Sequence, residues 1–191
     1  VYVDAVGITG GWELFKKRTP ESMVEKATST SLGLLNAKHP KGGEAVVILD
    51  PALVGLLSHE AVGHTTEADL VLGGSITKDK IGQEVASEYI TLIDSGKIQA
   101  SGWVPVDDEG VECRDVALIE NGVLTGFLHN RETASIMGVE TTGNARAWEY
   151  DFEPIIRMRN TYIEKGEWKE EEIIEDTKRG YILKGADTGH A

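Results

Sequence analysis

His59, Glu60 and His64 are the residues of this chain whose types and spacing could do chemistry. Two imidazoles offer neutral nitrogen donors, and the carboxylate beside the first offers a base. Those are the parts of a zinc hydrolase: His59 and His64 as metal ligands, and Glu60 as the general base for a metal-activated water. The spacing is unusual. In the common H-E-x-x-H arrangement the histidines are four apart and share a helix face. The run His59-Glu60-Ala61-Val62-Gly63-His64 sets them five apart, which on a regular helix separates them by roughly 140° around the axis. Both reach one ion only where the helix is distorted or ends between them. Gly63 is the residue most able to permit that, and a wide turn of the π type is a second route. The competing reading is a surface helix with a chance His-Glu and another histidine nearby.

The preceding residues must position this motif. Glu44 to Leu49 is a short apolar, β-branched run that reads as a buried strand. Asp50 is a good N-cap and Pro51 suits the first helical position. Ala52 to Ser58 then leads, apolar all round, into the histidine, which predicts a buried helix. Ionisable groups inside such a helix are costly unless paired or metal-bound. The segment from Asp50 to about Leu70 is therefore expected to be helical, with an interruption near Gly63.

The bulk composition narrows the function classes. With 191 residues the chain suits one domain, or one plus part of another. A net charge of −13 argues against a nucleic-acid surface, which needs a clustered basic footprint. Seven acidic residues and two lysines fall between Glu164 and Asp176. No apolar run approaches the roughly 18–20 residues of a membrane span, and no secretory leader is visible. The single cysteine, Cys113, excludes an internal disulfide framework and suits a reducing, cytoplasmic setting. Val1 opens an apparent strand without an initiator methionine, and Gly189-His190-Ala191 follows closely on a strand-like Tyr181-Ile182-Leu183. Both ends read as cuts in a longer chain.

Further elements can be placed along the sequence. Val1 to Val6 reads as a strand, Thr19-Pro20 as a helix start, and Ser22 to Leu35 as that helix. Lys41-Gly42-Gly43 is the best boundary signal. Val85 to Ile93 alternates in part, and Asp94-Ser95-Gly96 is expected to turn the chain. Asn121-Gly122 between apolar runs predicts a hairpin of Val116 to Ile119 with Leu124 to Leu128. Arg131 to Met137 reads as a short helix closed by Gly138. Arg157 to Ile163 reads as a strand, and Trp168 to Arg179 as an acidic helix ending at Gly180. Hairpins outnumber β-α-β units. The expected class is α+β with mostly antiparallel sheets, a few helices, and the motif on a buried helix after a strand.

One colinear series of segments resembles a known family. HEAVGH at 59–64, TTEAD at 65–69, EVASEYITLID at 84–94, VDDEG at 106–110, LIENGVLTGFLHN at 118–130, TTGNARA at 141–147 and RMRNTYIEKGE at 157–167 are similar to the TldD/PmbA metallopeptidases, once described as modulators of DNA gyrase. The resemblance covers essentially the whole chain. It implies a TldD-type subunit: a zinc peptidase acting on unfolded peptides, with His59 and His64 as ligands and Glu60 as base. It implies a third zinc ligand from a cysteine beyond this chain, so the 191 residues alone are expected to be inactive. It implies a PmbA/TldE-like sister subunit, or a homodimer, as partner. Residues 1–43 then belong to the C-terminal part of a preceding, central domain. Residues 44–191 belong to the motif-bearing metallopeptidase domain, truncated at its C-terminal end. The alternative function is a non-catalytic peptide-binding or scaffold subunit of a two-component complex.

Other polar residues are weighed against these. Cys113 is a soft donor but more often structural. Glu67 and Asp69 suit carboxylates that stand behind zinc histidines, or plain solvated groups. His39 and His129 are expected at the surface, and His190 ends the chain. Asp107-Asp108-Glu109-Gly110 is expected to be a solvated turn. Thr142-Gly143-Asn144-Ala145-Arg146 reads as a plain loop or, with the resemblance, as a lining of the cleft in which Arg146 meets a peptide carboxylate.

Overall fold

A computed structural model describes residues 2–185. Its elements run α1 (Leu14–Lys17), α2 (Pro20–Leu35), β1 (Val46–Leu49), α3 (Pro51–Leu57), a π turn (Ser58–Gly63), a 3-10 turn (His64–Thr66), α4 (Ala68–Leu72) and β2 (Leu92–Ser95). They continue with β3 (Val116–Glu120), β4 (Val123–Leu124), α5 (Arg131–Met137), β5 (Ala145–Arg146), β6 (Ile155–Ile156), β7 (Asn160–Ile163), α6 (Glu170–Asp176) and β8 (Gly180–Leu183). The fold is α+β. A four-stranded antiparallel sheet in the order β4-β3-β2-β7 is its centre. A short antiparallel pair, β5-β6, and one parallel pair, β1-β8, flank it. Among the described residues no helix is long and apolar enough to cross a membrane.

The core forms where the central sheet meets the segment after the motif. Leu92, Leu118, Leu124 and Leu128 from the sheet region pack with Ala68, Ile156 and Met158. Each fully buried leucine contributes roughly 1.5–3 kcal/mol relative to exposure. Asn121 and Gly122, at φ 47° and 83°, make the tight turn between β3 and β4. The expected hairpin is therefore present, but its second strand is short. After Thr125 the chain leaves β3, and Leu128 pairs with the segment behind the motif. Its N–H donates to Thr66 O at 2.9 Å, and its carbonyl accepts from Ala68 N at 3.0 Å. Gly138 closes α5 in the left-handed region, as its sequence position predicts.

Several expected boundaries move, each for a local reason. Among the described residues 2–6 no strand forms. Alternation there finds no partner strand, and Asp4 is instead tied to Arg18 and Lys26. The anticipated turn at Asp94-Ser95-Gly96 is the end of β2, which starts only at Leu92. The strand expected from Arg157 enters the central sheet at Asn160, because Arg157 N bonds to Asn144 O and Arg159 N bonds to Asp94 Oδ1. The acidic helix stops at Asp176 and the chain enters β8 at Gly180. The helix before the motif is not buried as expected: α3 contains no fully buried residue, and Leu57 is 51% exposed. Its apolar residues face β1 and β7 on one side only.

A buried ion pair explains the Asp94 difference. The Asp94 side chain is 0% exposed and the Arg159 side chain 2%, with Nε donating to Oδ2 at 2.8 Å. Thr161 Oγ1 and Asn144 Nδ2 also donate to Asp94, each at 2.9 Å. Arg159 spends its remaining N–H groups on the carbonyls of Thr142, Gly143 and Arg114. The pair thus ties β2 to β7 and to the loop at 142–144. Substitution of Asp94 by Ala leaves Arg159 buried without a counter-charge. The expected cost is about 3–5 kcal/mol of stability, read by urea denaturation; a loss under about 1 kcal/mol would show that the pair holds nothing together.

Candidate metal centre

The local sequence sets the motif at a fixed place. Asp50 Oδ1 accepts from Leu53 N at 2.9 Å, which starts α3 at the end of β1. Asp50 Oδ2 accepts from Gly185 N at 2.7 Å, so the same cap also fixes the chain after β8. From Ser58 the helix widens. His64 N–H donates to His59 O, an i→i+5 bond, and the π turn ends at Gly63. That extra residue per turn stacks positions five apart, where a regular helix would set them on separate faces. A 3-10 turn from His64 to Thr66 then tightens the chain.

This geometry brings the candidate residues together. The imidazoles of His59 and His64 lie 4.8 Å apart between centroids, inclined by 81°. One donor atom each from His59, Glu60 and His64 falls within 4.8 Å of the others. A tetrahedral zinc separates its donor atoms by about 3.4 Å, a difference within the reach of side-chain adjustment. Glu67 stands behind His64, its Oε2 3.1 Å from Nδ1. The contact fixes the ring and leaves Nε2 for a ligand. The other Glu67 oxygen, Oε1, is buried without a hydrogen-bond partner. The residues present therefore fit a cation beside His64: two imidazoles, a carboxylate at the mouth, and a buried acceptor behind. Burial and the neighbouring His64 hold His59 below the ordinary imidazole value, which favours the neutral donor form. Burial raises the Glu67 carboxyl, and its bond to His64 works the other way.

Gly63 is buried because the π turn presses on the chain leading to β7. A β-carbon added there would lie 1.8 Å from Met158 Sδ, and Met158 is 4% exposed. So the glycine serves close approach as much as backbone freedom, which the sequence alone did not reveal. Met158 carries no signal of its own in a single sequence.

Other candidates fall elsewhere. Cys113 is buried and donates Sγ–H to Gly143 O at 2.9 Å, outside the histidine cluster. Burial raises its thiol pKa, so it is a poor thiolate. Asp69 is exposed and bonds the amide of Leu70. His39 is exposed, as expected. His129 is not at the surface: it is 5% exposed and bonds Thr133 Oγ1, with burial lowering its pKa. His190 lies outside the described residues. The turn is solvated at Asp108 and Gly110, as expected, but Asp107 is buried and its carboxylate accepts from Glu109 N, Val111 N and Ala145 N. Thr142 and Asn144 are buried, and Thr142 also lines a cavity with His129, Met137 and Glu140.

Gly63→Ala is expected to cost about 1–3 kcal/mol by overpacking and to weaken metal binding by displacing His64. Thermal denaturation and a metal titration measure both. In a Met158→Ala background the same change should cost less, because the obstructing sulfur is gone. Equal costs in the two backgrounds would contradict the contact.

The chain is similar to known proteins along most of its length. The family model of the PmbA/TldA metallopeptidase C-terminal domain matches residues 42–191. A metalloprotease of Methanocaldococcus jannaschii is 49% identical over 95% of this chain and 41% of its own length. A zinc metalloprotease TldD homolog of Saccharolobus solfataricus is 42% identical over 78% of this chain and 34% of its own. The chain thus spans less than half the length of these relatives. The crystal structure of TldE from Thermococcus kodakarensis superimposes with a TM-score of 0.72, at 32% identity, over 90% of this chain and 39% of that one. A protein of Thermotoga maritima described as a modulator of a DNA gyrase gives a TM-score of 0.74 at 29% identity, over 91% of this chain and 39% of that one. On the family match and these identities, the chain belongs to the PmbA/TldD metallopeptidase family.

Proposed function

We propose that the chain is the motif-bearing portion of a zinc-dependent peptidase, with His59 and His64 as ligands and Glu60 as general base. The observation that carries this reading is the convergence of the three groups at the π turn, their donor atoms within 4.8 Å. The name of the Saccharolobus relative supports zinc, and so does a donor set rich in imidazole. Bound zinc supplies Lewis acidity, lowering the pKa of a water toward about 7 and polarising a carbonyl. The family resemblance implies a third ligand from a cysteine outside these 191 residues; Cys113 itself bonds Gly143 O.

The chain's own residues perform the remaining work. Glu67 holds Nδ1 of His64, which leaves Nε2 as the nitrogen that would hold a zinc ion. Glu60 is exposed at the mouth of the cluster, where water and a peptide reach it. It takes a proton from the attacking water and returns it to the departing amine, so the amide bond breaks and a carboxylate and an amine form. The substrate is an unfolded peptide held as an extended strand, because main-chain pairing is indifferent to side chains. The partner is a TldE-like sister subunit or a second copy, and the compartment is the cytoplasm. Residues 1–43 and 44–191 are parts of two domains, a division supported by the family match from residue 42.

The test is Glu60→Gln in the full-length protein with its partner. Peptide cleavage should fall roughly 10²–10⁴-fold while zinc stoichiometry stays unchanged. The 191-residue chain, titrated alongside, should bind zinc far more weakly and cleave nothing. Retained cleavage would remove Glu60 from the mechanism, and loss of zinc would make it a ligand. Tight zinc without cleavage in the wild-type complex would favour a non-catalytic peptide-binding subunit.

A further inference from the structure

Arg146 in β5 and Arg157, directly after β6, are two arginines whose side chains bond no group among the described residues. Arg146 lies opposite Ile155, and Arg157 N bonds to Asn144 O at 2.9 Å. That register puts Arg146 and Arg157 on one face as diagonal neighbours, about 7–8 Å apart. Both are half-buried. Among the described residues neither side chain enters a salt bridge. Arg159, two residues on from Arg157, shows what a structural arginine looks like here, with its N–H groups spent on Asp94 and on backbone carbonyls. Asp108, whose charge reaches Arg146, already accepts the Ala147 amide at 2.7 Å.

Two like charges side by side in partial burial destabilise each other. Burial and the Arg157 charge both act against the Arg146 cation. The chain holds 32 acidic residues, yet among the described residues none is a salt-bridge partner for either arginine. Such a pair suits an anion that the described chain does not supply. Its position is informative. Arg157 directly precedes Met158, whose sulfur packs on Gly63 of the π turn. Arg157 is therefore one residue along the chain from the side chain that packs on the π turn.

The geometry points to Arg146 and Arg157 as a clamp for a carboxylate of the peptide substrate, setting specificity beside the scissile bond. This assignment rests on the peptidase reading above. Guanidinium groups bind carboxylates through paired, charge-assisted hydrogen bonds, which fix orientation as well as charge. The carboxylate comes from one of two sources, the C-terminus of a short peptide or an aspartate or glutamate side chain.

The test uses the zinc-loaded full-length protein and matched peptide pairs. One pair differs in a free or amidated C-terminus, the other in Glu or Gln near the cleaved bond. In the wild type, kcat/KM should favour the carboxylate member of at least one pair, and the pair that shows it identifies the source. Arg157→Gln and Arg146→Gln should each lower that ratio by roughly tenfold or more, chiefly through KM, and Arg157→Lys should restore part of it. A wild-type ratio near one in both pairs, or equal losses for both members, would overturn the clamp. If the wild type cleaves no peptide, the peptidase reading fails by itself. The clamp is then read from fluorescence anisotropy of the same labelled peptides. Tighter binding of the carboxylate member, lost in Arg157→Gln, supports it; equal binding overturns it.

Discussion

The hydrogen bond from His64 N–H to His59 O organises the site. It replaces the regular i→i+4 bond with an i→i+5 one, and so brings two histidines whose spacing is unsuited to a regular helix to 4.8 Å between ring centroids. Such a widened turn is not stable by sequence preference alone. It is held on three sides here. Asp50 fixes the start of the helix and Met158 fills the space beside Gly63. Leu128 bonds the backbone of Thr66 and Ala68 directly after the turn. The β3-β4 hairpin ends early for the same reason, because its second strand leaves to make that contact.

A second node carries this arrangement across the sheet. The Asp94–Arg159 pair joins β2, the start of β7 and the loop at 142–144. That loop leads directly into β5, and Arg157 and Met158 precede Arg159. The chain leading from Met158 to β7 and the loop leading into β5 are thus held by one buried network. A buried pair is weak evidence for stability on its own, but here it fixes where three segments meet. In the RMR run, Arg159 is the arginine that this pair employs.

The sequence made some of this legible for stated physical reasons. Asp50-Pro51 reads as a helix start because both residues have strong positional meanings. Asn121-Gly122 reads as a tight turn because both residues tolerate positive φ. The five-residue histidine spacing forces a distortion, so the interruption near Gly63 could be anticipated before any coordinate. What stayed hidden depends on contacts distant in the chain. Asp94-Ser95-Gly96 looks like a turn, but a counter-charge 65 residues away draws Asp94 into the core. His129 looks like a surface group until Thr142 and Thr133 enclose it. The apolar composition of α3 suggests burial, yet among the described residues its outer face is uncovered. Residues 2–6 alternate like a strand and find no edge to pair with.

The central claim is that the π turn makes His59 and His64 ligands of one ion. X-ray absorption of the zinc-loaded full-length protein, compared with His59→Ala and His64→Ala, tests it most directly. The account predicts a first shell with two imidazole nitrogens near 2.0–2.1 Å in the wild type and one fewer in each variant, with weaker zinc binding in both. An unchanged shell and unchanged affinity in either variant would contradict it.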